Sequence, residues 1–275
     1  MRTDSEGREL DCYFGPAGSS SRDQAQQCLN VPTPSEPGEP RGRILFLVGD
    51  SHAGVMSRAM NRATAGLMRV VTICKSGTYF LPADLQGDDD NGGDDDDNGD
   101  DGDGNSNWWL PTLLEGLKAN LLPGDAVAIL QAGAINDITF LERTILAQVI
   151  RPNEADLILL GDNPVITQPA TLCVAAPHLC DFDPRAVVAS DEFPDSPTRA
   201  SAEHVLQEFA SQHRDVHFWS QSALWEAGPP GEHLWGNIPG TMERAYFDHN
   251  HLLIHVAEAY LWPYLCSFLR DSLRL

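Results

Sequence analysis

Basic residues are scarce in this chain, and it has no long uninterrupted apolar segment. Only 18 lysines and arginines face 40 aspartates and glutamates, for a formal charge of -22 over 275 residues. Nucleic acid is bound through surplus lysine and arginine, so it is not expected as a partner, and an anionic membrane surface is disfavoured for the same reason. The most apolar stretch, 252–269, contains His255, Glu258 and Pro263, and it predicts a core-facing terminal helix instead of a membrane span.

Motifs for metals and cofactors are also missing. None of the six cysteines forms a C-x-x-C pair, and His178 has no second imidazole at ligand spacing. We therefore expect no metal and no cofactor. The spacing instead favours two short disulfide loops, Cys12 with Cys28 and Cys173 with Cys180.

Disulfides indicate an extracellular or lumenal location, but residues 1–10 contain no apolar signal-peptide core. These two observations conflict. One resolution is that the chain is a soluble portion of a longer protein, attached to a membrane through a missing segment.

Residues 87–106 form an acidic, low-complexity insertion. They contain ten aspartates and no basic residue, and they cannot bury enough apolar surface to become ordered. Asp94 and Asp96 match the front of an EF-hand loop, but Asn105 stands where a bidentate glutamate belongs. We predict a disordered insertion inside one domain at 43–275, preceded by an N-terminal extension at 1–42.

Short apolar runs alternate with helical patterns along the domain. This order is typical of a parallel sheet covered by helices on both faces, which is a three-layer α/β/α, flavodoxin-like fold. The predicted strands are 44–49, 69–74, 126–132, 156–161 and 216–219, and the predicted helices are 53–65, 110–121, 140–150, 202–213 and 253–273. The long irregular stretch 163–198 follows a strand's carboxyl end, where open α/β sheets bind ligands, so we expect it to shape the substrate site.

A serine stands where the first predicted strand ends. Gly49-Asp50-Ser51-His52 follows the apolar run 44–48 and precedes a helix. The N–H of Ser51 then lies near a helix N-terminus, which stabilises a developing oxyanion. In the alternative interpretation, Asp50 or Ser51 only caps the helix.

The far end of the chain supplies the groups that a serine nucleophile needs. Asp248-His249-Asn250-His251 places a carboxylate and an imidazole three residues apart. The serine hydroxyl becomes nucleophilic when an imidazole removes its proton, and that imidazole needs a partner that fixes its tautomer.

The two segments resemble the first and last blocks of the SGNH/GDSL hydrolase family. This resemblance implies that Ser51 is the nucleophile, His251 the base and Asp248 its orienting carboxylate. It selects His251 over two other candidates for the base, His249 and His255. His249 is more simply a loop residue, and His255 a surface or core histidine.

The resemblance also implies further donors to the oxyanion hole. Gly77, shortly after the second predicted strand, matches the glycine of the second block. Asn136 matches the asparagine of the third block, although the segment from Gly133 to Asp137 is one residue longer than the family's Gly-x-Asn-Asp pattern.

The GDSH form of the first block is common in the extracellular SGNH domains fused to membrane O-acyltransferases that act on surface polysaccharides. The segment 159–164 is similar to the fourth-strand segment of that branch. We expect His52 and Asn163 to bind substrate. Trp108 and Trp109 either stack on a sugar ring or, more simply, pack against the core.

The function that follows is transfer or hydrolysis of O-acetyl or other acyl groups of carbohydrate by a Ser-His-Asp mechanism. The expected partners are an acylated carbohydrate or another small ester, together with a membrane acyltransferase or a lost membrane domain. The catalytic groups are the same whether the acceptor is water or a sugar hydroxyl. The alternative is a catalytically inactive SGNH-fold domain that binds carbohydrate or docks a partner, a reading consistent with the lengthened third block.

Overall fold

A central parallel sheet organises the part of the chain that the structure describes. The computed structural model describes residues 12–14, 22–29, 41–75, 109–130, 138–164, 166, 170–175, 199–226, 237–241, 243–248 and 251–275. The acidic insertion 87–106 and most of the stretch 163–198 lie outside these residues, so the predictions made for them stay predictions.

The sheet has six parallel strands in the order β1-β3-β2-β4-β5-β6. The strands are β1 (Tyr13–Phe14), β2 (Ile44–Gly49), β3 (Arg69–Lys75), β4 (Ala126–Leu130), β5 (Asp156–Leu160) and β6 (Val216–Trp219). The five predicted strands are all present. Numbered among themselves they run 2-1-3-4-5, the flavodoxin-like order, so the predicted fold is confirmed.

Both faces of the sheet are buried, as the apolar runs predict. In β2, Leu45 and Leu47 belong to one hydrophobic core, and Ile44, Phe46 and Val48 belong to the other. Side chains alternate between the faces of a strand, so a strand buried on both faces must be apolar at every position.

Helices form the two outer layers. They are α1 (Arg22–Leu29), α2 (Ser51–Ala63), α3 (Trp109–Asn120), α4 (Ile138–Phe140), α5 (Ala170–Ala175), α6 (Arg199–Gln212), α7 (Ser222–Glu226), α8 (Ile254–Val256) and α9 (Trp262–Leu273). A π-helical stretch at Leu141–Ile150 and a 3-10 turn at Arg151–Asn153 continue α4, and a second π-helical stretch at Ala257–Leu261 joins α8 to α9. Residues of α2, α7, α8 and α9 pack in one core, and those of α1, α3, the α4 segment and α6 pack in the other.

The N-terminal part adds a short edge strand that sequence patterns did not predict. Tyr13–Phe14 pairs with the end of β3, and the disulfide between Cys12 and Cys28 ties this strand to α1. A two-residue strand carries no periodic signal, which explains why it was missed. The predicted Cys12–Cys28 bond is confirmed.

The other cysteines are of two kinds. Cys173 is disulfide-bonded, but its predicted partner Cys180 lies outside the described residues. Cys74 and Cys266 remain thiols, the first buried and the second partly exposed. Within the described ranges, no helix is long and apolar enough to cross a membrane.

Gly49 is required by the close approach of two strands. A Cβ at this position would lie 1.6 Å from the carbonyl oxygen of Leu130 in β4 and 2.9 Å from the Cβ of Ala53 in α2. Since the first of these atoms belongs to the backbone of a central strand, relief would require β2 and β4 to separate. The glycine therefore lets β2 end in close contact with its neighbours, directly before Ser51.

We expect Gly49→Ala to lower the free energy of unfolding by about 3 kcal/mol or more, because the added methyl overlaps backbone atoms. Urea unfolding monitored by circular dichroism measures the change. Gly42→Ala is the matched control, since a Cβ there meets no atom within 4 Å. Equal stabilities of the two variants would contradict this explanation of Gly49.

Candidate active site

Ser51 lies at the junction of β2 and α2. Asp50, between them, caps the helix: its side chain accepts a hydrogen bond from the His52 N–H at 2.9 Å. This cap starts the helix at Ser51, two residues before the predicted start. As the first residue of the helix, Ser51 has a backbone N–H with no acceptor inside the helix, and this group is available to a ligand.

Asp248 and His251, the two ends of the Asp248–His251 turn, are joined by direct hydrogen bonds. Asp248 Oδ1 accepts the backbone N–H of His251 at 2.7 Å, and the N–H of Phe247 donates to the His251 carbonyl oxygen at 2.7 Å. Because Asp248 and His251 are three positions apart, the one carboxylate can bond the His251 backbone and also reach the His251 imidazole.

Tyr246 anchors this turn to the sheet. Its side chain is fully buried, and its hydroxyl donates to the Pro164 carbonyl oxygen at 2.6 Å, in the segment that follows β5. An antiparallel bridge between Tyr246 and Leu252 closes the turn at its base. The C-terminal turn is thereby fixed beside the carboxyl ends of the strands.

Ser51, His251 and Asp248 form a continuous line of hydrogen bonds. Ser51 Oγ lies 2.7 Å from His251 Nε2, and His251 Nδ1 lies 2.8 Å from Asp248 Oδ2. An ionised carboxylate only accepts, so Nδ1 carries the proton and Nε2 of the neutral ring presents its lone pair to the serine hydroxyl. The His251 and Asp248 side chains are about one-third exposed, at 29% and 35%, so the site is open to solvent.

His52 forms a second imidazole–carboxylate pair beside this line. Its Nδ1 lies 2.7 Å from Asp162 Oδ1, and its side chain is 2% exposed. Burial opposes protonation of this ring, but the Asp162 carboxylate, helped by Asp50 and Asp248, outweighs burial and raises the pKa of His52 from 6.5 to about 9. His52 is therefore a buried cation at neutral pH.

The other predicted residues with described positions differ in how far they are exposed to solvent. Asn163 is buried at 5% exposure, and its N–H donates to Asp162 Oδ1 at 2.8 Å. Trp109 packs in the core at 3% exposure, whereas His255 is exposed, with Nε2 at 3.4 Å from a Glu243 oxygen.

Other predicted residues lie outside the described part of the chain, namely Gly77, Trp108, Asn136 and His249. The oxyanion roles of Gly77 and Asn136, and the substrate contacts of His52 and Asn163, stay predictions. No group of three or more potential metal ligands occurs among the residues with described positions.

Two residues of the site were missed by sequence reasoning. Asp162 directly follows Gly161 at the carboxyl end of β5, a position that marks a ligand-facing edge and that could have singled it out. Tyr246 carries no comparable signal, because its partner is a backbone carbonyl 82 residues away along the chain.

The free energy of unfolding should decrease as pH rises from about 6.5 to 9, because the His52 ring loses its proton over this range. The folded chain holds this proton up to about 9, whereas an unfolded chain releases it near 6.5, so the contribution is complete below 6.5 and is lost by about 9. It amounts to on the order of 3 kcal/mol. Urea unfolding across this range should show a steeper decline for the wild type than for His52→Gln.

His255→Gln is the control, because it removes an exposed imidazole without touching the buried pair. It should keep the wild-type slope. Parallel pH dependences of wild type and His52→Gln would contradict the assignment of this proton to His52.

Similarity of this chain to known proteins was found among solved structures. No family model matches the chain, and no curated protein matches its sequence. Among solved structures, a Streptococcus pneumoniae protein provisionally assigned as a platelet activating factor is similar at 18% identity, with a TM-score of 0.46 and coverage of 92% of this chain and 90% of that one.

Two further structures are similar. One is the C-terminal catalytic domain of Streptococcus pneumoniae peptidoglycan O-acetyltransferase A, at 11% identity and a TM-score of 0.40, covering 84% of this chain and 94% of that one. The other is a carbohydrate esterase family 2 enzyme of Myceliophthora fergusii with its carbohydrate-binding domain, at 16% identity and a TM-score of 0.41, covering 89% and 69%.

The architecture of this chain follows from its own topology and motif positions. Its parallel sheet has the 2-1-3-4-5 order, the Gly-Asp-Ser segment follows the first long strand, and the Asp-x-x-His turn reaches that serine. The chain therefore has a three-layer α/β/α fold with the flavodoxin-like strand order, and the Ser51 and Asp248–His251 segments meet at the carboxyl ends of its strands.

Proposed function

We propose that this protein is a serine-dependent enzyme acting on acyl esters, with Ser51 as nucleophile, His251 as general base and acid, and Asp248 as the carboxylate that orients His251. The observation that carries this proposal is the line of hydrogen bonds from Ser51 Oγ to His251 Nε2 at 2.7 Å and from His251 Nδ1 to Asp248 Oδ2 at 2.8 Å. These distances suit proton transfer without rearrangement.

In the first half-reaction, Ser51 Oγ gives its proton to His251 Nε2 and attacks the acyl carbonyl carbon. The carbonyl oxygen becomes an oxyanion that the Ser51 N–H stabilises at the start of α2, with Gly77 and Asn136 as the further donors implied by the family resemblance. The tetrahedral intermediate then collapses. The alcohol leaves with the proton from His251 Nε2, and the acyl group remains on Ser51 as an ester.

In the second half-reaction, an acceptor hydroxyl gives its proton to His251 Nε2 and attacks the seryl ester. Collapse of the second intermediate returns the proton to Ser51 Oγ. If the acceptor is water, the product is a free acid. If the acceptor is a sugar hydroxyl, the product is a new ester, and the same residues perform both reactions.

Asp248 supports both halves without changing protonation. Its Oδ2 holds the proton on His251 Nδ1, which leaves Nε2 free to accept, and its negative charge stabilises the imidazolium that forms after each proton transfer. Its other oxygen fixes the His251 backbone. One carboxylate thus sets both the position and the tautomer of the base.

The substrate class we propose is an O-acetylated carbohydrate, in an extracellular or lumenal setting and with a membrane acyltransferase as the partner. This finer proposal rests on the GDSH form of the first block and its resemblance to acyltransferase-associated domains. The Cys12–Cys28 disulfide supports the oxidising setting.

Replacing Ser51 by alanine should reduce hydrolysis of p-nitrophenyl acetate by at least about 1,000-fold, because the attacking oxygen is removed. Labelling by a fluorophosphonate, followed by mass spectrometry of the modified peptide, should be lost as well. Ser57→Ala is the control: Ser57 is in the same helix, and its hydroxyl bonds Thr72 instead of His251. Undiminished activity of Ser51→Ala would overturn the nucleophile assignment, whereas a wild type that neither hydrolyses the ester nor is labelled would favour the inactive binding domain.

Replacing Asp248 by asparagine should lower kcat by up to about 10⁴-fold, because the amide no longer enforces the Nδ1–H tautomer. Asparagine Oδ1 can still accept the His251 backbone N–H, so the turn should persist. Thermal melting checks this point, and steady-state kinetics measure kcat. A kcat within a factor of two of the wild type would be incompatible with the proposed role.

The acceptor is identified by product analysis. Wild-type protein is incubated with an acetylated donor, with and without a polysaccharide acceptor, and free acetate and acetylated sugar are quantified. Transferase activity predicts acetylated sugar at the expense of acetate when acceptor is present, and esterase activity predicts acetate alone in both cases.

A further inference from the structure

The proposed base has a second histidine packed against its ring. The ring centroids of His52 and His251 are 4.7 Å apart, and the ring planes are inclined by 49°. His52 follows Ser51 directly in the first turn of α2, so its location relative to the nucleophile is set by the helix. The His251 imidazole therefore lies between the serine hydroxyl at its Nε2 and the His52 ring.

The position of His52 is fixed from the other side by β5. Asp162, two residues after the end of β5, bonds His52 Nδ1 at 2.7 Å and also accepts the Asn163 N–H at 2.8 Å. The His52 and Asp162 side chains are 2% and 7% exposed. A ring bonded to a buried, backbone-tethered carboxylate and enclosed on all sides has little freedom to rotate.

Keeping an imidazole in this place costs free energy. The buried Nε2 of His52 has no hydrogen-bond partner among the residues that the structure describes, and a buried unsatisfied ring nitrogen is destabilising. An apolar side chain of similar volume would fill the space without that cost, and would also remove the need to bury Asp162. A buried polar pair that stabilises the fold less than an apolar replacement would, and that contacts the proposed base, is better explained by a role at that base.

The geometry points to His52 as a positioning residue for His251, with Asp162 holding the His52 ring in place. Contact with this fixed ring restricts the His251 imidazole to the orientation in which Nε2 faces Ser51 Oγ. The inference rests on the proposed function for its catalytic consequence, but the orientation of His251 can be measured separately.

His52→Gln tests the inference, because glutamine can still donate to Asp162 but removes both the ring and the charge. With p-nitrophenyl acetate we expect kcat to fall about 10- to 100-fold, through misorientation of the base, with KM changed by less than about threefold. His255→Gln is the control and should leave both quantities unchanged.

Asp162→Asn is the second variant, in case His52→Gln fails to fold. Asparagine Oδ1 can still accept from His52 Nδ1, so the fold should be less perturbed than by loss of the ring. The weaker bond should still loosen the His52 ring and lower kcat by about 10-fold.

Ring-nitrogen NMR shifts of His251 give a readout that does not depend on activity. The wild type should show the Nδ1–H tautomer, and His52→Gln a mixture of tautomers or rotamers. If the wild type is neither active nor labelled at Ser51, the proposed function fails, and this measurement still decides whether His52 positions His251.

The inference is overturned if these variants lower the melting temperature but leave kcat and the His251 NMR shifts as in the wild type. That result would make His52 and Asp162 a structural tie between α2 and β5. Changes in kcat and in the His251 shifts that exceed those of His255→Gln support the positioning role.

Discussion

Parallel pairing of the strands is the constraint on which the rest of this structure depends. Parallel strands end at the same edge, and burial of both faces fixes their register. Gly49 and Asp162 are thereby brought to one edge although more than 100 residues separate them along the chain. Because Gly49 has no Cβ, it can lie against the Leu130 carbonyl oxygen at the end of β2, and Ser51 then begins α2 two residues later.

The other half of the site depends on a different kind of contact. The Asp248–His251 turn is not part of the sheet, and it reaches Ser51 because buried Tyr246 hydrogen-bonds to the Pro164 carbonyl oxygen. The Leu253 N–H also donates to the Ala245 carbonyl oxygen at 2.8 Å across the base of the turn. Local hydrogen bonds shape this turn, and one long-range anchor places it.

Two carboxylate–imidazole pairs lie side by side in different surroundings. Asp248 and His251 are partly exposed, as a pair must be if it exchanges protons with substrate. Asp162 and His52 are buried, and their surroundings hold a proton on the ring up to about pH 9. In the proposed mechanism, the same chemical pairing carries out proton transfer where it is exposed and holds a fixed charge where it is buried.

The amino-acid sequence by itself determined the strands, the order of elements and the chemistry at the two ends of the chain. An apolar run such as 44–48 is typical of a strand buried on both faces of a parallel sheet, and Asp248 and His251 are close enough along the chain to pair. What it left open was which long-range contacts would form. The edge strand at Tyr13–Phe14, the anchor at Tyr246 and the pairing of His52 with Asp162 carry no periodic or local signal. Only the tertiary structure decided them, because each depends on how separate segments pack and not on any pattern within a segment.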